Sequence, residues 1–197
     1  MVEIFIGKSK QRFHVHKRLL GDKIPYFKNM FESGFQESID QTATLPEDDP
    51  EVFALFIQWI YGNAFKKPTN VTEDSPSTFR LVQVYAFAEK ISLPILMDYT
   101  MTYIISRFVK NKIMPSIDTV CEAYRTTHQD SKLRLFGSRY LSFAILRGKK
   151  GGIRSQITAE TMNCQDLTRD VMEHLLGSHG KPLESPLAMK KMQIPRA

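Results

Sequence analysis

Three short groups of polar residues could carry chemistry, and the first resembles the end of a nucleotide-binding loop. Gly7-Lys8-Ser9 has the glycine, lysine and hydroxyl that hold phosphates in a P-loop, but Val2 stands where that motif needs its first glycine. The segment also joins two stretches of alternating apolar residues, which predicts a hairpin turn instead of a strand-to-helix loop. Nucleotide binding is therefore not favoured.

The second group is a histidine pair. His14 and His16 are spaced by two, so on a strand both rings would lie on one face, as two metal ligands can. No third ligand stands near them in the sequence. The pattern therefore favours an exposed strand face and a helix cap over a metal site.

The third group is a run of carboxylates, Glu47, Asp48, Asp49 and Glu51, around Pro50. A proline at the first helical position, flanked by acidic residues, is typical of a helix N-terminus, where negative charge complements the helix dipole. This interpretation is favoured over a catalytic carboxylate cluster.

Elsewhere the sequence offers little that could catalyse a reaction. Cys121 and Cys164 match no metal or redox spacing and are interpreted as reduced, packed thiols. No nucleophile-elbow or zinc-protease motif is present. We therefore expect no catalytic residue, no cofactor and no metal, and we expect that the protein is not an enzyme.

Length and composition are those of a globular protein. The chain has 197 residues, of which 42% are hydrophobic and 24% charged. It has neither an apolar run of about 18 residues nor a signal-peptide pattern, so we expect no membrane span and a location in the nucleus, the cytoplasm or both. The net charge of +6 is spread thinly over the basic later part, without a dense block, and nucleic-acid binding is not favoured.

Period-two alternation predicts the strands. Val2–Ile6 and Arg12–His16 flank the polar turn Lys8–Lys10 and read as a hairpin, and Thr42–Leu45 reads as a short third strand.

Apolar residues at helical spacing predict that the remainder is helical. A first helix with Leu19 and Leu20 is expected to break at Gly21-Asp22, and a second begins at Pro25. Further helices are predicted from Pro50, over 79–91, over 95–109, and around Ile117–Tyr124, Leu133–Ala144 and Leu167–Leu176. The fold class is therefore α+β, a small sheet capping a helical cluster and followed by an all-α extension.

Two stretches of the first half carry a recognisable pattern: one runs from Phe13 through Leu20 to Phe31, and the other runs from Leu45 to Phe53 and on to Gly62. In their order and spacing these stretches resemble the BTB/POZ domain. The Leu-Pro-Glu-Asp-Asp-Pro run and Val84–Lys90 resemble in particular the BTB proteins of filamentous fungi. The resemblance implies a BTB/POZ domain over residues 1–110 and a BACK-like or 3-box-like helical extension over 111–177. From Ser178 on, three prolines and the lack of apolar periodicity predict a disordered tail over 178–197.

The resemblance implies a protein–protein interaction module. Members commonly dimerise, and many are substrate adaptors that dock on a cullin scaffold in ubiquitin ligases. In that branch a hydrophobic-x-Glu motif lies between the second short helix and the third strand, where this chain has Phe35-Gln36-Glu37. Phe56, Trp59 and Tyr61 match the helix and turn that face the cullin.

The residues themselves leave two alternatives open at this face. Phe35 could anchor in a partner's apolar pocket or tuck onto the domain's own helices. Trp59 lies on a helix that is apolar around most of its circumference, so it fits a core position as well as a binding hot spot.

The chain also departs from the family pattern. The family commonly forms homodimers, but the chain as given starts with Met1 at the first strand, where a preceding helix would supply much of the dimer interface. The sequence has no separate recognition module such as a Kelch propeller. We therefore expect substrate recognition by the helices of 111–177 or by the basic tail.

Two functions compete at this point. The first is an interaction module that serves as an adaptor for a cullin-based ubiquitin ligase. The second is a nuclear scaffold or transcription-related BTB protein with no ligase role, whose basic later part contacts acidic proteins or nucleic acid.

Overall fold

The structure is a computed structural model, and it describes residues 1–65, 77–111, 115–147 and 164–177. Contacts between backbone positions divide the chain into two compact units, Met1–Thr100 and Met101–Ala197. The predicted breaks at Gly151-Gly152 and the predicted tail from Ser178 lie outside the described residues.

The first unit contains a three-stranded sheet with the order β2-β1-β3. The strands are β1 (Val2–Ile6), β2 (Gln11–Val15) and β3 (Thr42–Leu45). β1 is antiparallel to β2 and parallel to β3, and its alternating residues Val2, Ile4 and Ile6 are buried. The predicted hairpin and third strand are therefore confirmed.

The helices of the first unit follow in two groups. Three short helices separate β2 from β3: α1 (Lys17–Lys23), α2 (Pro25–Glu32) and α3 (Gln36–Asp40). The longer helices α4 (Pro50–Gly62) and α5 (Thr78–Lys90) follow β3, and α6 (Pro94–Asn111) continues past Thr100. The result is α+β, as predicted.

One predicted boundary is wrong. α1 continues through Gly21 and Asp22 and ends at Lys23; the next residue, Ile24, has an extended backbone before Pro25. A glycine inside a helix costs about 1 kcal/mol, and burial of Leu20 and Ile24 offsets that loss. The residue before a proline disfavours helical backbone, so Pro25 ends the helix where glycine does not.

Aromatic side chains fill the core of the first unit. Phe53 of α4 lies 5.3 Å from Phe56 and 5.9 Å from Phe87 of α5, measured between ring centroids. Phe13 of β2 meets Phe53 edge to face at 4.9 Å. This aromatic cluster packs the sheet against α4 and α5.

The second unit contains the helices α7 (Ile117–Thr126), α8 (Lys132–Arg147) and α9 (Gln165–Gly177). These helices enclose a core of seven buried residues: Val120, Cys121, Tyr124, Tyr140, Leu141, Leu167 and Val171. The i, i+3, i+4, i+7 pattern that predicted α7 supplies three of them, so the amphipathic helix is confirmed.

Candidate functional site

The segment that joins α2 to β3 presents an exposed aromatic side chain. Gly34 has a positive φ of 81°, which lets the chain turn sharply after α2, and Phe35 follows at the N-cap position of α3. The Phe35 side chain is 69% exposed. The alternative in which Phe35 tucks onto the domain's own helices is therefore wrong.

Local hydrogen bonds hold this segment in place. The Ser38 hydroxyl donates to the Phe35 carbonyl at 2.7 Å, and the Gln36 amide donates to the Asp40 carboxylate at 2.6 Å. Gln41 ends α3 in a left-handed conformation and donates from its side chain to the Ser38 carbonyl. The segment is thus a short ordered helix that leads directly into β3.

A carboxylate and a second apolar side chain accompany Phe35. Glu37 is half-buried in the first turn of α3. Ile39 is 70% exposed on α3 and stands four residues after Phe35. Sequence reasoning missed Ile39 because α3 itself was not predicted; its spacing from Phe35 is the signal that could have found it.

Phe56 belongs to the core and not to a partner-facing surface. Its side chain is fully buried, and its ring stacks on Phe27 of α2 at 5.9 Å and lies 5.3 Å from Phe87 of α5. The expectation that Phe56 itself faces a partner is corrected, because a side chain without exposed surface cannot be contacted. Through Phe27 it supports α2, the helix that precedes Gly34 and Phe35.

Trp59 and Tyr61 lie on α4 in different environments. Trp59 is only 6% exposed and its ring lies 6.3 Å from that of Tyr99, so the structure places it in the core. Tyr61 is 49% exposed. Its hydroxyl accepts a hydrogen bond from the backbone N–H of His16 and lies 2.6 Å from the His16 Nδ1. Of the five predicted residues, Phe35, Glu37 and Tyr61 thus retain surface that a partner could reach.

The two histidines have separate environments. His14 is exposed on β2, with its Nε2 3.4 Å from the Glu3 carboxylate, whereas His16 follows the strand at the N-cap position of α1. The His16 ring makes no capping bond and pairs with Tyr61 instead. Within the described ranges, no three histidine, cysteine or acidic side chains come together as a metal site would require.

The carboxylate run opens α4, as predicted. Asp49 is the N-cap and accepts from the backbone N–H of Glu51 at 2.7 Å. Arg80 of α5 lies 2.6 Å from both the Asp49 and the Glu51 carboxylates, and Lys90 lies 2.7 Å from that of Asp48. These acids fix α4 against α5 and are already matched by cations.

The pKa of Asp49 reflects these contacts. Burial alone would raise the pKa of this carboxyl, but the hydrogen bonds from Arg80 and from the backbone N–H groups of Glu51 and Val52 lower it below its ordinary value. Asp49 therefore stays ionised well into the acidic range, which suits a structural cap.

No helix in the described part of the chain is both long and apolar enough to cross a membrane.

Comparison with known proteins identifies the family. No match is found among curated proteins. The family model of the BTB/POZ domain matches residues 2–105, which include the sheet, all of α1 to α5 and most of α6. The match covers more than half of the 197 residues, and the chain belongs to the BTB/POZ family.

Proposed function

We propose that this protein is a substrate adaptor that docks on a cullin scaffold through the segment Phe35–Ile39. Its BTB/POZ domain is a protein–protein interaction module, and the cullin is the partner inferred for that module. The observation that carries the proposal is the exposed Phe35 beside the Glu37 carboxylate, between α2 and β3.

The chemistry of the segment suits a protein partner. Phe35 and Ile39 offer two apolar side chains, each about 70% exposed, and burial of one such side chain contributes roughly 1.5–3 kcal/mol. Glu37 has no ion-pair partner among the residues that the structure describes, so its carboxylate is available to an amide or a basic group. The hydrogen bonds within α3 reduce the entropy lost on binding.

The buried residues of α4 support this surface from within. Phe56 packs on Phe27, so α2 is held in the position from which Phe35 projects into solvent. Trp59 packs in the core, and Tyr61 contributes a surface hydroxyl bonded to His16. We assign contact to Phe35, Glu37 and Tyr61, and support to Phe56 and Trp59.

Light scattering of the full chain, alone and mixed with a cullin N-terminal domain, tests the proposal. We expect a complex with the mass of both proteins. Glu37→Lys should weaken it at least about tenfold, because the substitution places a cation where the carboxylate meets a basic or amide group. Glu47→Lys makes the same charge change at an exposed site outside the segment and should leave binding intact.

Two alanine variants test whether Phe35 itself anchors the partner or whether any exposed aromatic side chain would do. Phe35→Ala should weaken the complex about tenfold or more, whereas Phe79→Ala, at a 39% exposed position on α5, should not. Unchanged binding in both Glu37→Lys and Phe35→Ala would overturn the adaptor assignment. The result would then favour a nuclear scaffold without a role in a ubiquitin ligase, and residues 111–197 would be used to search for its partners.

Three finer assignments belong to the same proposal. The helices after the BTB/POZ domain act as the substrate-recognition extension, because the second unit has its own core. The protein works in the nucleus or cytoplasm, where two unbonded cysteines are expected. It resembles the BTB proteins of filamentous fungi in the Leu45–Pro50 run and in Val84–Lys90.

A further inference from the structure

The two cysteines of the second unit lie in one small core although they are distant in sequence. Cys121 is on α7 and only 4% exposed, as a member of the buried cluster that includes Val120, Tyr124 and Leu167. Cys164 immediately precedes α9 and is half-buried against the same cluster. Both are free thiols.

The contact between α7 and α9 brings the two thiols together. The Tyr124 hydroxyl, one turn after Cys121, donates to the Asp170 carboxylate of α9 at 2.6 Å. The pKa of the Cys121 thiol is raised to about 11, mainly by burial and in smaller part by the neighbouring Cys164 thiol. Cys121 lies inside the buried cluster and Cys164 packs against the same cluster, so the two cysteines share one small core where α7 meets α9.

We propose that Cys121 and Cys164 form an intramolecular disulfide when the protein meets a hydroperoxide, and that this bond fastens α9 to α7. Sequence spacing alone does not suggest such a pair, since α8 lies between the two cysteines. In a reducing compartment a pair of this kind is reversible and reports on oxidant, because thiol exchange restores the two thiols.

The difference in exposure between Cys164 and Cys121 determines which sulfur reacts first. Cys164 is the more accessible sulfur, so its thiolate attacks the peroxide oxygen, the O–O bond breaks, and a sulfenic acid forms with release of water or alcohol. The Cys121 sulfur then attacks the sulfenic sulfur, the S–O bond breaks, and water leaves as the S–S bond forms. Two thiols are oxidised by two electrons and one peroxide is reduced.

The test treats the full chain with hydrogen peroxide, blocks free thiols under denaturing conditions and measures intact mass. We expect a monomer that is lighter by two hydrogens and takes up no blocking group, and a peptide map that joins the Cys121 and Cys164 peptides. Dithiothreitol should restore two blockable thiols. The oxidised chain should unfold at a temperature several degrees higher, because the bond closes a long loop.

Single variants provide the controls. Cys164→Ser should leave one blockable thiol at Cys121 and no intramolecular bond, and Cys121→Ser should leave Cys164 to accumulate sulfenic or sulfinic acid. Disulfides between chains would overturn the proposal. So would two blockable thiols after oxidation, or sulfinic acid on Cys164 of the unaltered chain. The Cys164→Ser variant keeps the test decisive if the buried Cys121→Ser change prevents folding.

Discussion

Asp49 joins two elements through a single carboxylate. One of its oxygens accepts from the backbone N–H groups at the start of α4, and the other lies 2.6 Å from the Arg80 guanidinium on α5. An N-cap of this kind contributes about 0.5–2 kcal/mol to stability. Because the side chain is 40% exposed, solvent screens the ion pair with Arg80, which adds no more than about 1 kcal/mol.

Asp49→Asn keeps a capping oxygen but removes the charge that pairs with Arg80 and with the helix dipole, so we expect it to destabilise the protein at neutral pH by about 0.5–1 kcal/mol. The pKa of Asp49 is lowered in the folded state, so its stabilisation is complete above the ordinary carboxyl range and is lost as pH falls through the folded-state value. The difference between wild type and Asp49→Asn should therefore shrink below about pH 4. Urea unfolding of both proteins between pH 7 and pH 3 measures it.

Glu47→Gln is the matched control for this prediction, since Glu47 is exposed and is not the cap. It should change the free energy of unfolding little at any pH. A difference between wild type and Asp49→Asn that stays constant down to pH 3 would show that the charge of Asp49 does not contribute.

At the scale of elements, a glycine lies in the contact between α7 and α8. A Cβ added to Gly137 of α8 would lie 2.8 Å from Cγ1 of Val120 on α7, closer than van der Waals contact allows. Val120 is buried and β-branched, so it has little freedom to turn away. The glycine therefore sets the spacing between the two helices.

We expect Gly137→Ala to destabilise the second unit by roughly 1–3 kcal/mol, although alanine is the better helix former. Adding Val120→Ala should relieve the clash, so the double variant should be more stable than the sum of the single changes predicts. Gly177→Ala, at a position with no neighbour within 4 Å of the added atom, is the control. Additive effects in a thermal denaturation series would contradict this packing.

Arg134 connects α7 and α8 by capping. Its guanidinium donates to the backbone carbonyls of Tyr124, at 2.6 Å, and Thr127, both at the C-terminal end of α7. It also lies 5.0 Å from the centre of the Tyr124 ring and is only 12% exposed. Carbonyls that α7 leaves without helical partners thus receive a charged donor.

We expect Arg134→Ala to reduce the free energy of unfolding by about 2–4 kcal/mol, because buried carbonyls lose their donor. Arg134→Lys should recover only part of this, since lysine lacks the Nε that donates to the Thr127 hydroxyl and the planar guanidinium that lies over the Tyr124 ring. Arg125→Ala serves as control. Arg125 is 63% exposed and 3.9 Å from Glu122, so the change should cost no more than about 0.5 kcal/mol in a urea titration.

Local signals explain which elements could be predicted. β1 alternates strictly, and α4 has a proline at its start with an acidic cap before it, so both were predicted close to their observed bounds. α3 has five residues, too few for an apolar period, and it was missed. α1 was cut short because its continuation through Gly21 depends on tertiary burial, which the local sequence does not contain.

The same limit applies to the candidate site. The position of Phe35 between α2 and β3 was predictable, but its exposure was not, because exposure depends on which neighbours cover it. Phe56 was misplaced for the converse reason. α4 is apolar around most of its circumference, and only the packing of α2 and α5 shows which of its residues are covered.

At the scale of the whole molecule, the net charge of +6 is diffuse. We expect weak, non-specific retention of the full chain on a duplex-DNA column. The logarithm of the affinity should fall with the logarithm of salt with a slope of about 2–3, as for two or three phosphate contacts. A slope of about 6 or more would contradict this and favour the nuclear scaffold.

The order of the strands also has a consequence for biosynthesis. β1 is the central strand and the first of the three strands to leave the ribosome, yet only β2 follows it closely. Its parallel neighbour, residues 42–45, emerges only after α1, α2 and α3 have been made. A nascent chain therefore carries β1 with one edge unpaired throughout that interval, which is the period when it is most open to chaperones and to aggregation.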